Sequence, residues 1–149
     1  MASCKELRGI AKARLKSAKI LMNVNDWHGA AYMLAYALEC SLKAVTCKTL
    51  NLVSYPENTK KKNIDSVFMT HSFQQLLLIS GLENIFSSRG PAEAWDNWGK
   101  FTIEYPANWP QIRYNTDLVW DEEKVEKLYD YLLESRFGII SIIRKRRKW

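Results

Sequence analysis

Residues 27–47, WHGAAYMLAYALECSLKAVTC, place apolar side chains at Trp27, Ala31, Leu34, Leu38, Leu42 and Val45. Steps of three and four put these residues on one face of an α-helix, and alternation of the kind a strand needs is absent. A second row, Tyr32, Tyr36, Glu39 and Lys43, runs along the same helix. A helix that carries both a core seam and a Tyr-Tyr-Glu-Lys row can stand at the centre of a bundle and still line a cleft. This stretch predicts an all-helical chain more firmly than any other.

The flanking segments extend that reading. A first helix is expected over Cys4 to Val24, with Leu7, Ile10, Ala11, Ala18 and Leu21 inward and its lysines and arginines on the wet side. Asn25 or Asp26 can cap the second helix, because a short side-chain oxygen satisfies a free amide of the first turn. So short a connection makes the two helices antiparallel neighbours. Residues 51–66 read as a loop around Pro56 and an Asn/Lys cluster. Ser72 and Gln75 match a capping box opening a third helix, with Phe73, Leu76, Leu77 and Ile79 as its apolar face and Gly81 near its end. A short helix is expected around Glu93 to Phe101. Residues 102–120, with Pro106 and Pro110, read as an ordered non-helical connection, since proline removes a donor and disfavours helix before it. Asp121, Glu122 and Glu123 open a last helix that closes on Arg144 to Lys148, a polarity that suits the helix dipole. Its apolar side is Val125, Leu128, Leu132, Phe137, Ile140 and Ile143. The expected fold is all-α, a four-to-five-helix up-and-down bundle with a Trp/Pro-rich connection before the last helix, forming a single domain over 1–149.

Charge and cysteine usage narrow the function classes. The net charge of +6 divides into +6 over residues 1–75, −5 over 76–143 and +5 over 144–148. Two basic regions suit an anionic partner. Cys4, Cys40 and Cys47 have no metal-ligand spacing, and Cys40 and Cys47 lie too far apart on one helix for a bridge. A reduced, cytoplasmic setting is expected. No apolar run reaches membrane-spanning length, and the N-terminus is too charged for a signal peptide. A Gly-rich phosphate loop, His-Glu-x-x-His and GxSxG are all absent. No metal or cofactor is expected.

In order along the chain stand an Ala/Lys-rich helix (Ala11-Lys12-Ala13-Arg14-Leu15-Lys16-Ser17-Ala18), an aromatic turn (Asp26-Trp27) and Ala35-Tyr36-Ala37-Leu38-Glu39-Cys40-Ser41-Leu42-Lys43-Ala44. Thr70-His71-Ser72 then opens a leucine-rich helix, and Ile112-Arg113-Tyr114 precedes the acidic helix start. This ordered set resembles the HEPN superfamily of small helical-bundle domains, over nearly the whole chain. The resemblance implies a homodimeric or partner-bound domain. It also implies one of two kinds of role: an endoribonuclease of toxin–antitoxin or phage-defence systems, or a non-catalytic module binding RNA, a nucleotide or a nucleotidyltransferase partner. Active ribonuclease members carry Arg and then His four to six residues later, and two such motifs meet across a dimer. Here only His28 and His71 exist, and neither has an Arg at that distance.

The leading expectation is therefore a catalytically reduced module in a defence or toxin–antitoxin system, binding RNA, a nucleotide or a partner protein. The first alternative is a metal-independent endoribonuclease rebuilt from His71 and Arg113, as proton-transfer group and phosphate cation. The second is a structural dimeric partner of a nucleotidyltransferase or other effector. Candidate ligand or nucleic-acid contacts are Tyr36, Glu39, Lys43 and Tyr114, the cluster Lys60, Lys61 and Lys62, and the tail Arg144, Lys145, Arg146 and Arg147. Each has a plainer reading. Glu39 and Lys43 have the spacing of a helix ion pair. His71 can be a helix-start residue, Arg113 can tie the long connection to an acid such as Glu39, and the lysines can be solvated surface. Trp95, Trp98, Trp109 and Trp120 are expected to pack rather than stack on bases. The small residues Gly29, Ala30, Ala31, Ala35 and Ala37 would let a second helix of a dimer partner approach closely.

Overall fold

The structure, a computed structural model, describes residues 2–115 and 117–147, with the side chain of Arg147 also outside the description. Two long helices form its axis. Helix α1 (Cys4–Asn23) is opened by Ser3, whose hydroxyl accepts from the Glu6 amide while the Glu6 carboxylate accepts from the Ser3 amide. This reciprocal capping box satisfies two otherwise orphaned donors. Helix α2 (Trp27–Thr49) is capped by Asp26, which accepts from the Gly29 amide. The two helices pack side by side along their length, and the Tyr55 amide donates to the Ala2 carbonyl at 2.8 Å, closing the open end of the hairpin.

Helix α2 is the centre of the molecule. Besides α1 it touches α4 (Phe73–Ser80), α6 (Glu122–Leu133), α7 (Ile139–Arg147) and the 3-10 turn Trp109–Tyr114. Every residue of α2 from Ala37 to Cys47 is buried, including Glu39, Ser41, Lys43 and Thr46. Ser41 and Thr46 resolve their hydroxyls locally, on the carbonyls of Ala37 and Leu42. Helix α5 (Ala92–Thr102) packs on α6 and α7 rather than on the central rod. Among the described residues no β-strand forms, and no helix is long and apolar enough to cross a membrane.

Several expectations need correction. The loop expected over 51–66 ends at Lys61, because Lys62–Phe68 forms a short helix, α3. Asp65 steadies it, accepting from both the amide and the hydroxyl of Thr59. Second, the last helix is two helices. Helix α6 stops at Leu133, Glu134 leaves the helical region with ψ at 134°, and α7 starts beyond Gly138. Third, Ala30, Ala31, Ala35 and Ala37 are fully buried by the chain's own helices. Close approach at those positions is used inside the protomer, so they offer no surface to a second copy. The capping box at Ser72 is half of one. Its hydroxyl accepts from the Gln75 amide, but the Gln75 side chain donates to the carbonyls of Ser66 and Val67. Gly81 ends α4 in the left-handed region at φ 78°, as a glycine can without steric cost.

The connection after α5 holds the bundle together through aromatics. Tyr105 is buried and donates its hydroxyl to the Ala31 carbonyl at 2.8 Å. Burial pushes the Tyr105 phenol far above its ordinary range, so it stays a donor. Trp98, Trp109 and Trp120 are buried as expected, whereas Trp95 is 51% exposed on the outer face of α5. The stretch expected to be non-helical contains the 3-10 turn at Trp109–Tyr114.

Candidate functional site

Glu39 is the point on which the site is built. Only 7% exposed, it faces three donors from three parts of the chain. Its Oε1 lies 2.9 Å from the Lys43 ammonium one turn along α2. Its Oε2 takes the Trp109 indole N–H at 2.6 Å and lies 2.9 Å from His71 Nδ1. A buried carboxylate needs this degree of satisfaction, because an unpaired charge in the interior costs several kcal/mol (roughly 3–5 for breaking a buried pair). Lys43 is held on its other side by Glu57 at 3.2 Å, and its ammonium sits 5.0 Å over the Tyr55 ring. Burial alone would lower the Lys43 pKa; attraction to Glu39 and then Glu57 outweighs it and raises the pKa instead.

His71 stands just before α4, with its side chain half exposed. A carboxylate facing an ammonium and an indole N–H can only accept, so the geometry places an imidazole proton on Nδ1. The ring also meets Trp109 edge-on at 6.1 Å. Trp109 in turn contacts Tyr32 at 5.1 Å and Tyr36 at 6.0 Å. The row read along α2 is thus one wall: aromatic at Tyr32 and Tyr36, ionic at Glu39 and Lys43, with Trp109 bridging the two halves.

The remaining candidates fall elsewhere. Arg113 is exposed and stacks over the equally exposed Tyr114, its guanidinium 4.8 Å from the ring centre. Among the described residues no ion pair or hydrogen bond joins Arg113 to His71 or Glu39. The long connection is indeed tied to Glu39, but by Trp109. Lys60, Lys61 and Lys62 are all exposed at the corner that enters α3. That corner is ordered: Asn58 and Lys60 adopt φ of 52° and 65°, Thr59 is fixed on Asp65, and Glu57 is fixed on Lys43. In the tail, Lys145 donates to the Ser135 carbonyl at 2.6 Å, Arg144 is partly buried and Arg146 is exposed. The Arg147 side chain and Lys148 lie outside the described residues. Cys40 and Cys47 are buried, and desolvation pushes their thiols up to about 12 and about 11, so both behave as small apolar residues rather than nucleophiles. No group of three His, Cys, Asp or Glu side chains is placed to hold a metal ion among the described residues.

Sequence reasoning missed Arg14, which it placed on the wet side of α1. Arg14 turns back across the hairpin, its guanidinium 6.0 Å from the centre of the Tyr36 ring. Arginine four residues beyond Ile10, on the flank of the apolar stripe, was the only available signal.

Fold and site together define a helical-bundle domain built on an antiparallel pair, with a buried Glu-Lys couple on its central helix. Residues 4–58 match the family model of the HEPN domain, a span that takes in α1, α2 and the loop carrying Glu57. That span is less than half of the chain, and over it the chain is similar to the HEPN domain. No curated protein and no solved structure gives a significant match to the chain.

Proposed function

We propose that this chain is a catalytically reduced HEPN module that binds RNA. The observation that carries the reading is the fate of the charges in the cleft. Glu39 and Lys43 neutralise each other and are saturated by Trp109, His71 and Glu57. Lys60, Lys61 and Lys62, by contrast, stand exposed on an ordered corner and make no ion pair among the described residues. Arg113, the cation the sequence offers against a scissile phosphate, stacks on Tyr114 instead, whereas clustered exposed lysines are what phosphate-backbone binding requires. The changes Lys60→Ala, Lys61→Ala and Lys62→Ala together are expected to weaken binding of a single-stranded RNA at least tenfold. They should also flatten the dependence of log affinity on log salt by roughly 2, given about 0.7 per phosphate contact on a single strand. Unchanged affinity and an unchanged salt slope, measured by fluorescence anisotropy, would reject the assignment of this corner.

One observation favours a second reading. His71 is held by Glu39 through Nδ1 on a half-exposed ring, which leaves Nε2 facing away from the carboxylate and places the imidazole where it could move a substrate proton. On that reading the chain cleaves RNA without a metal, and His71→Ala lowers an EDTA-resistant cleavage rate about 10²–10⁴-fold. Equal rates for wild type and His71→Ala leave the binding reading alone. A homodimer, or a complex with a nucleotidyltransferase, is compatible with either reading and is decided by the mass of the purified assembly.

A further inference from the structure

Helix α5 is apolar on two sides. Ala94, Trp98 and Phe101 are buried against the bundle, as the inner stripe of an amphipathic helix. Trp95, Gly99 and Ile103 follow one another at steps of four on the outer side, where Trp95 is half exposed and Ile103 is 80% exposed. With Ala92, Asp96 and Lys100 they line an open groove of about 650 Å³. Gly99 is the informative residue. Glycine inside a helix costs stability relative to alanine, and a Cβ here would meet nothing within 4 Å. The packing of the chain itself therefore gives no reason for the missing side chain. One turn from an exposed apolar residue on either side, the glycine leaves a notch that admits a second helix backbone. The surroundings set the charge of what can enter. Residues 92–104 and 121–133, which contain α5 and α6, hold eight acidic residues and three lysines. All three lysines are paired: Lys100 with Asp96 at 2.7 Å, Lys124 with Glu104 at 2.8 Å and Lys127 with Glu123 at 2.9 Å. Glu122, Glu126 and Asp130 stand exposed beside Glu123 and Lys127 and make no ion pair among the described residues. The two helices pack together and present one face: the Lys100 pKa is raised first by its hydrogen bond to Asp96 and is opposed by Lys127 on α6.

We infer that the outer face of α5 and α6 docks an amphipathic helix of another protein. That helix is apolar on the side that meets Trp95, Gly99 and Ile103, and rich in lysine or arginine on the flank that meets α6. A helix laid in a groove offers its anchors at steps of three and four, the spacing of the α5 stripe. Tryptophan is among the side chains most enriched at the energetic centres of interfaces, and an apolar groove with a charged rim is the usual anatomy of one. The unpaired carboxylates select a cationic partner and steer its approach. They also repel a phosphate backbone, so this face and the corner at Lys60, Lys61 and Lys62 take different partners, and the inference does not depend on RNA binding.

Gly99 supplies a test that a folding defect cannot imitate. Gly99→Leu fills the notch with a better helix former in open space, so it should raise the melting temperature while it blocks docking. The probe is a labelled helical peptide of leucine and lysine, about 18 residues long, with leucines at steps of three and four. A leucine and glutamate peptide of the same pattern is the control. Both are titrated by anisotropy against wild type, Gly99→Leu, Trp95→Ala, the triple change Glu122→Gln, Glu126→Gln and Asp130→Asn, and the triple lysine change at 60–62. Wild type is expected to bind the lysine peptide and not the glutamate one. Gly99→Leu and Trp95→Ala should each lose at least about tenfold in affinity, with Gly99→Leu melting higher. The acid triple change should weaken binding and flatten its salt dependence. The lysine change at 60–62 should leave it unaltered. Lysine-peptide binding that Gly99→Leu and Trp95→Ala both retain overturns the inference, since charge alone would then hold the peptide. Equal binding of the two peptides, or binding of neither by wild type, overturns it as well. So does self-association that Gly99→Leu abolishes with peptide affinity unaltered, because the notch would then seat a second copy.

Discussion

Glu39→Ala is expected to lower the unfolding free energy by about 3–5 kcal/mol, a loss typical of removing one member of a buried charge pair. The reason lies in what the change strands. The Trp109 indole N–H is buried and has Glu39 as its acceptor, so it loses its partner outright, at about 1–3 kcal/mol. Lys43 keeps Glu57, but Glu57 is partly exposed and meets it at 3.2 Å rather than 2.9 Å. His71 loses least, because its half-exposed ring can turn to water. Glu39→Gln, which keeps an acceptor for Trp109, should recover part of the loss. The double change Glu39→Leu with Lys43→Met should recover more than either single change predicts, since apolar residues of similar volume often replace a buried pair at little cost. Urea unfolding of these variants completes the cycle. A single-variant loss under about 1 kcal/mol would mean that the carboxylate does not tie the connection and α4 to α2, and the hub at Glu39 would not exist. The pair also sets an alkaline limit. With its pKa raised in the folded state, Lys43 contributes fully below its ordinary value of 10.5, and the contribution is lost as pH rises through the folded value. Wild type should therefore lose stability on the alkaline side more steeply than Glu39→Ala.

What could be read from the residues, and what could not, divides at the boundary between local and tertiary information. The Glu39–Lys43 couple is an i,i+4 relation on one helix, and the spacing alone gives it. The partners that turn the couple into a hub come from elsewhere: Glu57 from the loop, His71 from the start of α4, and Trp109 from far along the chain. Arg113 was the natural candidate to reach Glu39, because charge suggests charge. The connection is instead anchored by Tyr105 on the Ala31 carbonyl, and that register delivers an indole N–H to the carboxylate and leaves Arg113 outside. The alanines of α2 show the same boundary. Small residues signal close approach, but not whose helix approaches, and a rod packed on several sides uses them on its own chain. Arg14 eluded the reading because a lysine- and arginine-rich helix face looks uniformly wet until the neighbouring helix supplies a ring for one of those cations to cover.

Gly138→Ala is expected to destabilise the fold by about 3 kcal/mol, at the upper end of what forcing extra volume into a packed site costs. The residue sits at the corner where α6 gives way to α7. Its amide donates to the Glu134 carbonyl at 2.9 Å, and its own carbonyl accepts from Ile142 to begin the next helix. A Cβ at this position would lie 2.5 Å from the Glu134 oxygen, 2.6 Å from the Glu134 nitrogen and 2.7 Å from the Leu132 oxygen. All three are backbone atoms, so no side chain can swing aside, and relief requires opening the corner. The corner is further pinned by the Glu134 carboxylate, whose pKa is held down first by the Phe137 amide and then by that of Arg136. Opening it would move Ile139, Ile140 and Ile143, which are fully buried beyond the bend. Gly9→Ala and Gly99→Ala provide the contrast. Both lie inside helices with open space around the added methyl, and each should gain roughly 0.5–1 kcal/mol from helix propensity. Opposite signs at Gly138 and at the two helical glycines, measured by thermal and urea unfolding, would establish the corner as a fixed feature. Stabilisation at all three would mean that the last helix runs unbroken, because within a continuous helix Gly138 too would gain from a methyl group.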